Sequence, residues 1–165
     1  MLDLFDKIYS SKEPKRTPAV VFLDIKKAFD SVDREKLIAK LKHYGIEGSA
    51  LEWFRSYLNG RRQQTKIGNK LSDLAFILFG VPQGSILGPI LFSIYINYLA
   101  SVCEHSFPFL FADDGTLYFD NVERGALGFT NIKSELINVC KWLQVNKLSL
   151  NIGKTSFYHS LYFTM

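Results

Sequence analysis

Ala19-Val20-Val21-Phe22-Leu23-Asp24-Ile25 is a short run rich in β-branched residues that follows Pro18, and it reads as a buried strand carrying one acid near its end. Downstream, Asp33 is placed to cap a helix through about His43, with Leu37, Ile38, Leu41 and Tyr44 as its apolar face and Gly45 as its stop. Ser49-x-x-Glu52 reads as a capping box for a second helix to about Leu58, ended by Gly60. Arg61 to Ile67 reads as an exposed basic strand turning at Gly68-Asn69, and Leu74 to Phe79 as an apolar strand.

After the loop from Gly80 to Gly88, a helix from Pro89 onward is expected to be buried, with Ser93, Asn97 and Ser101 as a polar seam. Phe107 to Ala112 and Thr116 to Phe119 flank Asp113-Asp114-Gly115, which reads as a tight hairpin turn. Thr130 is expected to cap a helix to about Val145 with Ile132, Leu136, Cys140 and Leu143 on one face. Leu148 to Ile152 and Thr155 to Phe163 read as closing strands around Gly153. At the other end, Leu2, Phe5, Ile8 and Tyr9 suit one side of an amphipathic helix, followed by a basic loop from Lys12 to Pro18. The expected class is α+β, with helices on one face of an antiparallel sheet and the other face free for a ligand.

The length of 165 residues suits one domain, and 47% hydrophobic with 22% charged residues excludes a disordered tail or a collagen-like repeat. The basic excess is uneven. Residues 1–80 carry 15 Lys and Arg against 10 Asp and Glu, whereas residues 81–165 carry 5 against 6. A basic half fits either an anionic partner, nucleic acid first, or a solvated basic surface. Cys103 and Cys140 form no CxxC unit and read as reduced core thiols. The segment Ile86 to Cys103 is marginal in length for a membrane span, and its polar seam favours a helix in a packed core. The acidic start, Met1-Leu2-Asp3-Leu4-Phe5-Asp6, has no basic region typical of a signal peptide.

The acids carry the chemistry. Asp24 fits a strand-end residue capping the next helix, or a charge held by a metal, because an isolated charge on a buried strand is costly. Asp113 and Asp114 fit a plain turn, yet two adjacent acids repel and a turn needs only one. Together the two segments offer oxygen ligands of the kind Mg²⁺ takes, alongside substrate phosphates.

Phe22-Leu23-Asp24-Ile25-Lys26-Lys27-Ala28-Phe29-Asp30-Ser31-Val32-Asp33 resembles motif A of the reverse transcriptases of non-LTR (LINE-like) retrotransposons. Gly80-Val81-Pro82-Gln83-Gly84-Ser85-Ile86-Leu87-Gly88-Pro89 resembles motif B, and Phe111-Ala112-Asp113-Asp114 motif C, with Phe111 where Tyr is usual. Asn146-Lys147-Leu148-Ser149-Leu150-Asn151 through Lys154-Thr155 resembles motif D. The four stand in the family's order and span nearly the whole chain.

The resemblance implies the palm of a right-hand RNA-directed DNA polymerase that transfers dNTPs onto a DNA primer 3′-OH along an RNA template, using two Mg²⁺ (or Mn²⁺) ions. It implies a metal-binding and catalytic triad of Asp24, Asp113 and Asp114. It implies that Phe29 excludes a nucleotide 2′-OH, that Gln83 and Gly84 contact nucleotide and template, and that Lys154 approaches the triphosphate. Arg61, Arg62 and Lys66 are expected to follow a nucleic-acid backbone, or to be solvated strand-edge charges. Only 23 residues precede Asp24, so residues 1–165 are expected to be a single partial domain, with the fingers mostly absent, the thumb absent and little polymerase activity unaided. A non-catalytic nucleic-acid-binding remnant of such an element is the alternative.

Overall fold

The computed structural model describes residues 18–120, 122 and 126–159; the expected N-terminal helix, nearly all of the basic loop that follows it and residues 160–163 of the last expected strand lie outside them. In chain order the elements are β1 (Ala19–Asp24), α1 (Arg34–His43), α2 (Gly48–Leu58), β2 (Arg62–Gln63), β3 (Lys66–Ile67), β4 (Lys70–Leu71), β5 (Ala75–Phe76), α3 (Leu87–Ile96), β6 (Phe107–Phe111), β7 (Asp114–Phe119), α4 (Ala126–Val145) and β8 (Ser156–His159). They form two compact units, residues 18–26 with 96–159, and Lys27–Tyr95.

In the first unit, an antiparallel sheet runs in the order β6-β7-β1-β8. Alternation along β1 sets Ala19, Val21 and Leu23, all buried, on one face; on the other Val20 is buried, Phe22 is 43% exposed and Asp24 half-buried. Each buried Val or Leu contributes about 1.5–3 kcal/mol relative to exposure. Val21 stands opposite Phe157 and Ala19 opposite His159, so both β8 rings lie on the buried face. The ring of Phe129 in α4 sits 6.3 Å from each of them, which places α4 over that face. Asp24, Phe22 and Val20 lie on the other face, where Phe22 meets Tyr158 edge-on at 5.7 Å. This is the expected α+β arrangement.

Four local expectations of this unit are corrected by the structure. The hairpin turn is not Asp113-Asp114-Gly115. Phe111 pairs with Asp114, so the two-residue loop is Ala112-Asp113, and Asp114 and Gly115 belong to β7. Gly115 packs closely against β1: a Cβ there would lie 3.3 Å from Leu23 Cβ, a tight contact, and 3.6 Å from Leu110 Cδ2, an ordinary one. Helix α4 spans Ala126–Val145, so Thr130 lies inside it and does not cap it. Leu148 to Ile152 forms a single bridge, Leu150 to Ile25, and then coils, with the Lys154 and Thr155 N–H groups donating to the Asn151 carbonyl. The cysteines are free, as expected, but half-buried rather than core.

Ala112 has φ +51, in the left-handed region that costs a residue with a Cβ. Positive φ at the first loop residue only is the II′ hairpin pattern, which favours glycine there. Ala112→Gly is therefore expected to raise stability by about 1 kcal/mol, read as a higher denaturation midpoint. An unchanged or lower midpoint would reject strain at this position.

In the second unit, Asp33 caps α1 as expected, accepting from the Lys36 N–H at 2.9 Å, and Gly45 stops it at φ +82. Leu37, Ile38 and Leu41 are buried, whereas Tyr44 is exposed just beyond the helix end. The capping box of Ser49 and Glu52 does not form. The helix α2 starts earlier, from Glu47 as its capping position, and Ser49 lies inside the first turn. The expected turn at Gly68-Asn69 joins β3 to β4, but the strands are only two residues long. In α3, Leu91, Phe92 and Tyr95 are buried while Ile90 and Ser93 are exposed, so the helix is not buried all round; it ends at Ile96, and exposed Asn97 and Ser101 fall in the 3₁₀ helix Asn97–Val102 instead of continuing one seam. Among the described residues no helix is long and apolar enough to cross a membrane.

Lys40 donates to the Tyr95 carbonyl, with its ammonium 4.2 Å from the Tyr95 ring centroid. Burial, reinforced by the charge of Lys36, lowers its pKa from 10.5 to about 8. Between those values the unfolded chain holds a proton that the folded chain has lost, so this group makes stability rise with pH across that window. Cys103 acts in the opposite sense. Burial and then Glu135 raise its pKa from 9.0 to about 11, and its contribution is lost as pH rises over that range. The difference between wild type and Lys40→Met isolates the lysine: the variant is expected to lack the rise between about pH 8 and 10.5 in chemical denaturation. Parallel profiles would show that Lys40 is not perturbed.

Candidate active site

The first unit carries Asp24, Asp113, Asp114 and Lys154. Asp24 and Asp114 are direct partners on β1 and β7 and lie on the same face of the sheet, at its end. Cβ atoms of such partners lie roughly 4.5–5.5 Å apart, and like charges placed so destabilise the pair. Asp113 lies in the turn, exposed, one residue before that pair. The structure therefore places Asp24 opposite Asp114, with Asp113 adjacent in the turn. Among the described residues, no three His, Cys, Asp or Glu side chains converge closely enough to hold a metal ion.

The segment after α4 is stitched to the same strand end. Asn151 N–H donates to the Asp24 carbonyl at 2.7 Å, Lys26 N–H to the Ser149 carbonyl at 2.8 Å, and Asp24 N–H to Thr155 Oγ1 at 3.4 Å. These bonds fix the turn that presents exposed Lys154 beside the backbone of Asp24.

The second unit carries Phe29, Gln83, Gly84, Arg61, Arg62 and Lys66. Phe29 sits in a short 3₁₀ turn, Ala28–Asp30, half-buried with its ring 5.1 Å from Phe92. It lines a cavity of about 530 Å³ with Pro82, Gln83, Gly84, Ser85 and Pro89. The loop is docked on this turn by Gly80 N–H to the Val32 carbonyl and Val81 N–H to the Phe29 carbonyl. Gly80 has φ +84, and a Cβ there would lie 2.8 Å from Asp30 Cα. Gly84, exposed at φ +72, has open space around it. Arg61, Arg62 and Lys66 are all exposed, with Arg62 4.6 Å from the Phe76 ring.

Two residues of this unit went unnoticed in the sequence. Asp30 accepts from Gln83 Nε2 at 2.7 Å. Since a carboxylate only accepts, this bond turns the Gln83 carbonyl away from Asp30 and fixes the amide. Buried Arg34 donates to the carbonyls of Ile77, Phe79 and Gly80 at 2.6, 3.0 and 3.0 Å, and so holds the approach to the Gln83 loop. Its position in the first turn of α1, one residue past the cap, gave no warning of burial.

The sequence profile described as reverse transcriptase (RNA-dependent DNA polymerase) matches residues 3–164. The chain belongs to the reverse transcriptase family. Among curated relatives of this reverse transcriptase segment, the probable RNA-directed DNA polymerase from transposon BS of Drosophila melanogaster is 38% identical over 81 residues, 46% of this chain and 8% of the relative. The Pol polyprotein from type-1 retrotransposable element R2 of Popillia japonica is 25% identical over 151 residues, 84% of this chain and 24% of the relative. The RNA-directed DNA polymerase from mobile element jockey of Drosophila funebris is 37% identical over 83 residues, 50% and 9% respectively. The resemblance to non-LTR elements holds, and the chain spans less than a quarter of each of these relatives. In fold, it is similar to a telomerase of Candida tropicalis, with TM-score 0.73 and 15% identity over 96% of this chain and 29% of that one. That likeness is consistent with the polymerase palm.

Proposed function

We propose that this chain is a single partial reverse transcriptase domain, the palm of an RNA-directed DNA polymerase from a non-LTR retrotransposon. Its substrates are dNTPs, a DNA primer and an RNA template. The observation that supports the reading is the opposition of Asp24 and Asp114 across adjacent strands in a chain of this family. Opposed carboxylates need a cation to offset their repulsion, and all the donors are hard oxygens. Mg²⁺ is usually held by one or two carboxylates with substrate phosphates, which suits such a pair.

Asp24 and Asp114 would hold the metals, with Asp113 contributing from the turn. Two bound Mg²⁺ or Mn²⁺ ions would lower the pKa of the primer 3′-OH and neutralise charge on the leaving pyrophosphate. Lys154 approaches the triphosphate and protonates the leaving group. The ring of Phe29 packs under the sugar and excludes a 2′-OH. Gln83, its amide fixed by Asp30, and the exposed backbone of Gly84 contact nucleotide and template. Arg61, Arg62 and Lys66 neutralise backbone phosphates.

Primer extension on an RNA template tests the reading, using a polymerase in which this segment sits within the flanking sequence its relatives carry. Incorporation is expected to need Mg²⁺ and to fall about a thousandfold or more in Asp24→Asn or Asp114→Asn, since catalysis here is charge neutralisation and positioning. Full incorporation by either variant overturns it.

A further inference from the structure

Helix α2 carries an exposed stack between the segments that resemble motifs A and B. The Trp53 ring lies parallel to Tyr57, with centroids 5.3 Å apart and planes 10° off, and Trp53 is 53% exposed. Spaced at i and i+4, the two rings meet along one side of the helix. One position set further on, the Arg61 guanidinium lies 5.5 Å from the Tyr57 centroid and donates to the Tyr57 carbonyl at 3.3 Å. Trp53, Tyr57 and Arg61 thus make one continuous ladder of flat groups.

Two further observations say what it takes. From Trp53 to Lys70 the chain carries five Lys and Arg and no Asp or Glu. Of these, Arg55 is committed to Glu52 at 3.4 Å and Glu35 at 3.5 Å; Arg61, Arg62, Lys66 and Lys70 are all exposed. The ladder also leads somewhere. Arg61 lines a polar cavity of about 440 Å³ together with Asp30, Arg34, Gln63 and Gln83. Gln83 is the proposed template and nucleotide contact, so a track runs from that loop through Arg61 and Tyr57 to Trp53.

We propose that Trp53, Tyr57 and Arg61 form a stacking platform for single-stranded nucleic acid, the unpaired RNA strand beyond the Gln83 loop. Bases stack on flat side chains whatever their identity, and phosphates take the adjacent cations, which is how single strands are held without sequence preference. The proposal rests on the polymerase reading only for which strand is bound.

The experiment uses the chain in a Trp142→Phe background, which leaves Trp53 as its one tryptophan. The probe is octauridylate, whose bases stack little on one another, with an abasic oligonucleotide of equal length as control. Octauridylate is expected to quench Trp53 emission and to bind more tightly than the abasic control. Trp53→Ala, read by anisotropy of labelled octauridylate, should weaken binding about five- to fiftyfold without changing its salt dependence, while Trp53→Phe keeps most of the affinity. Changing Arg61, Arg62 and Lys66 to Ala should instead flatten the salt dependence, by about 0.7 in log–log slope per lost phosphate contact.

Salt-dependent binding with unchanged Trp53 emission, or equal affinity for the abasic probe, overturns the platform while leaving the basic contacts standing. A Trp53 emission change that follows protein concentration without RNA also overturns it, in favour of a second copy on this face. No binding even at low salt removes the platform and the basic contacts together, and the metal response described below then reports on the polymerase reading independently.

Discussion

Glu135→Ala is expected to melt about 6–12 °C below wild type. Glu135 is fully buried in α4, yet its carboxylate is saturated. It accepts from the N–H groups of Glu104 at 3.0 Å, His105 at 3.2 Å and Ser106 at 3.0 Å, and from Ser106 Oγ at 2.5 Å. Hydrogen bonds to a charged group are each worth about 1.5–3 kcal/mol. Glu104 and His105 are exposed, so water recovers part of the loss, leaving about 3 kcal/mol. In a chain of this size each kcal/mol moves the melting temperature about 2–4 °C. Glu135→Gln should fall between, because its NH₂ group faces N–H donors. Glu104→Ala, which removes only an exposed side chain, should stay within about 0.5 kcal/mol of wild type. Thermal unfolding of the three variants checks this, and Glu135→Ala melting within about 2 °C of wild type would reject the anchor. The consequence reaches the site, since the segment 104–106 leads directly into β6, the strand that delivers the turn with Asp113 and, across it, Asp114.

Glu135 also shows where reading a sequence stops. It falls between Ile132 and Val139 on the buried side of α4, and an acid on an apolar face signals a partner. The partner is a run of backbone N–H groups about thirty residues away, which no side-chain pattern announces. The cap at Asp33 was legible because both ends of its bond lie within one turn. The hairpin was legible as a hairpin but misplaced by two residues. Asp-Gly is a good turn sequence, yet Gly115 pairs with Leu23 on one side and Leu110 on the other, and that pairing is tertiary. The site divides the same way. The motif A and motif C acids were legible as types in order along the chain. That Asp114, rather than Asp113, faces Asp24 depends on the register set by the Ala112-Asp113 turn. The bond from Gln83 to Asp30 joins residues 53 apart and needed the docked loop to be seen.

That register decides the sign of the metal response. Asp24 and Asp114 are opposed across two strands, so without a cation they repel, and removing one charge relieves the pair. Asp114→Asn and Asp24→Asn are therefore each expected to melt at or above wild type in EDTA. A structural carboxylate behaves oppositely, since losing a capping acid typically costs about 1 kcal/mol. Adding millimolar Mg²⁺ or Mn²⁺ should raise the wild-type melting temperature, because an ion bound only by the folded chain stabilises it by mass action, about 2.7 kcal/mol at a hundred times the dissociation constant. Both variants should lose most of that increment. Asp113→Asn, changed in the turn beside the opposed pair, should lose less of it and leave the EDTA value nearly unchanged. The measurement is thermal unfolding of the four proteins in EDTA and in each metal. If Asp24→Asn and Asp114→Asn both fall below wild type in EDTA and none of the proteins responds to metal, the opposed acids are structural, and the polymerase reading describes this chain's ancestry and not its chemistry.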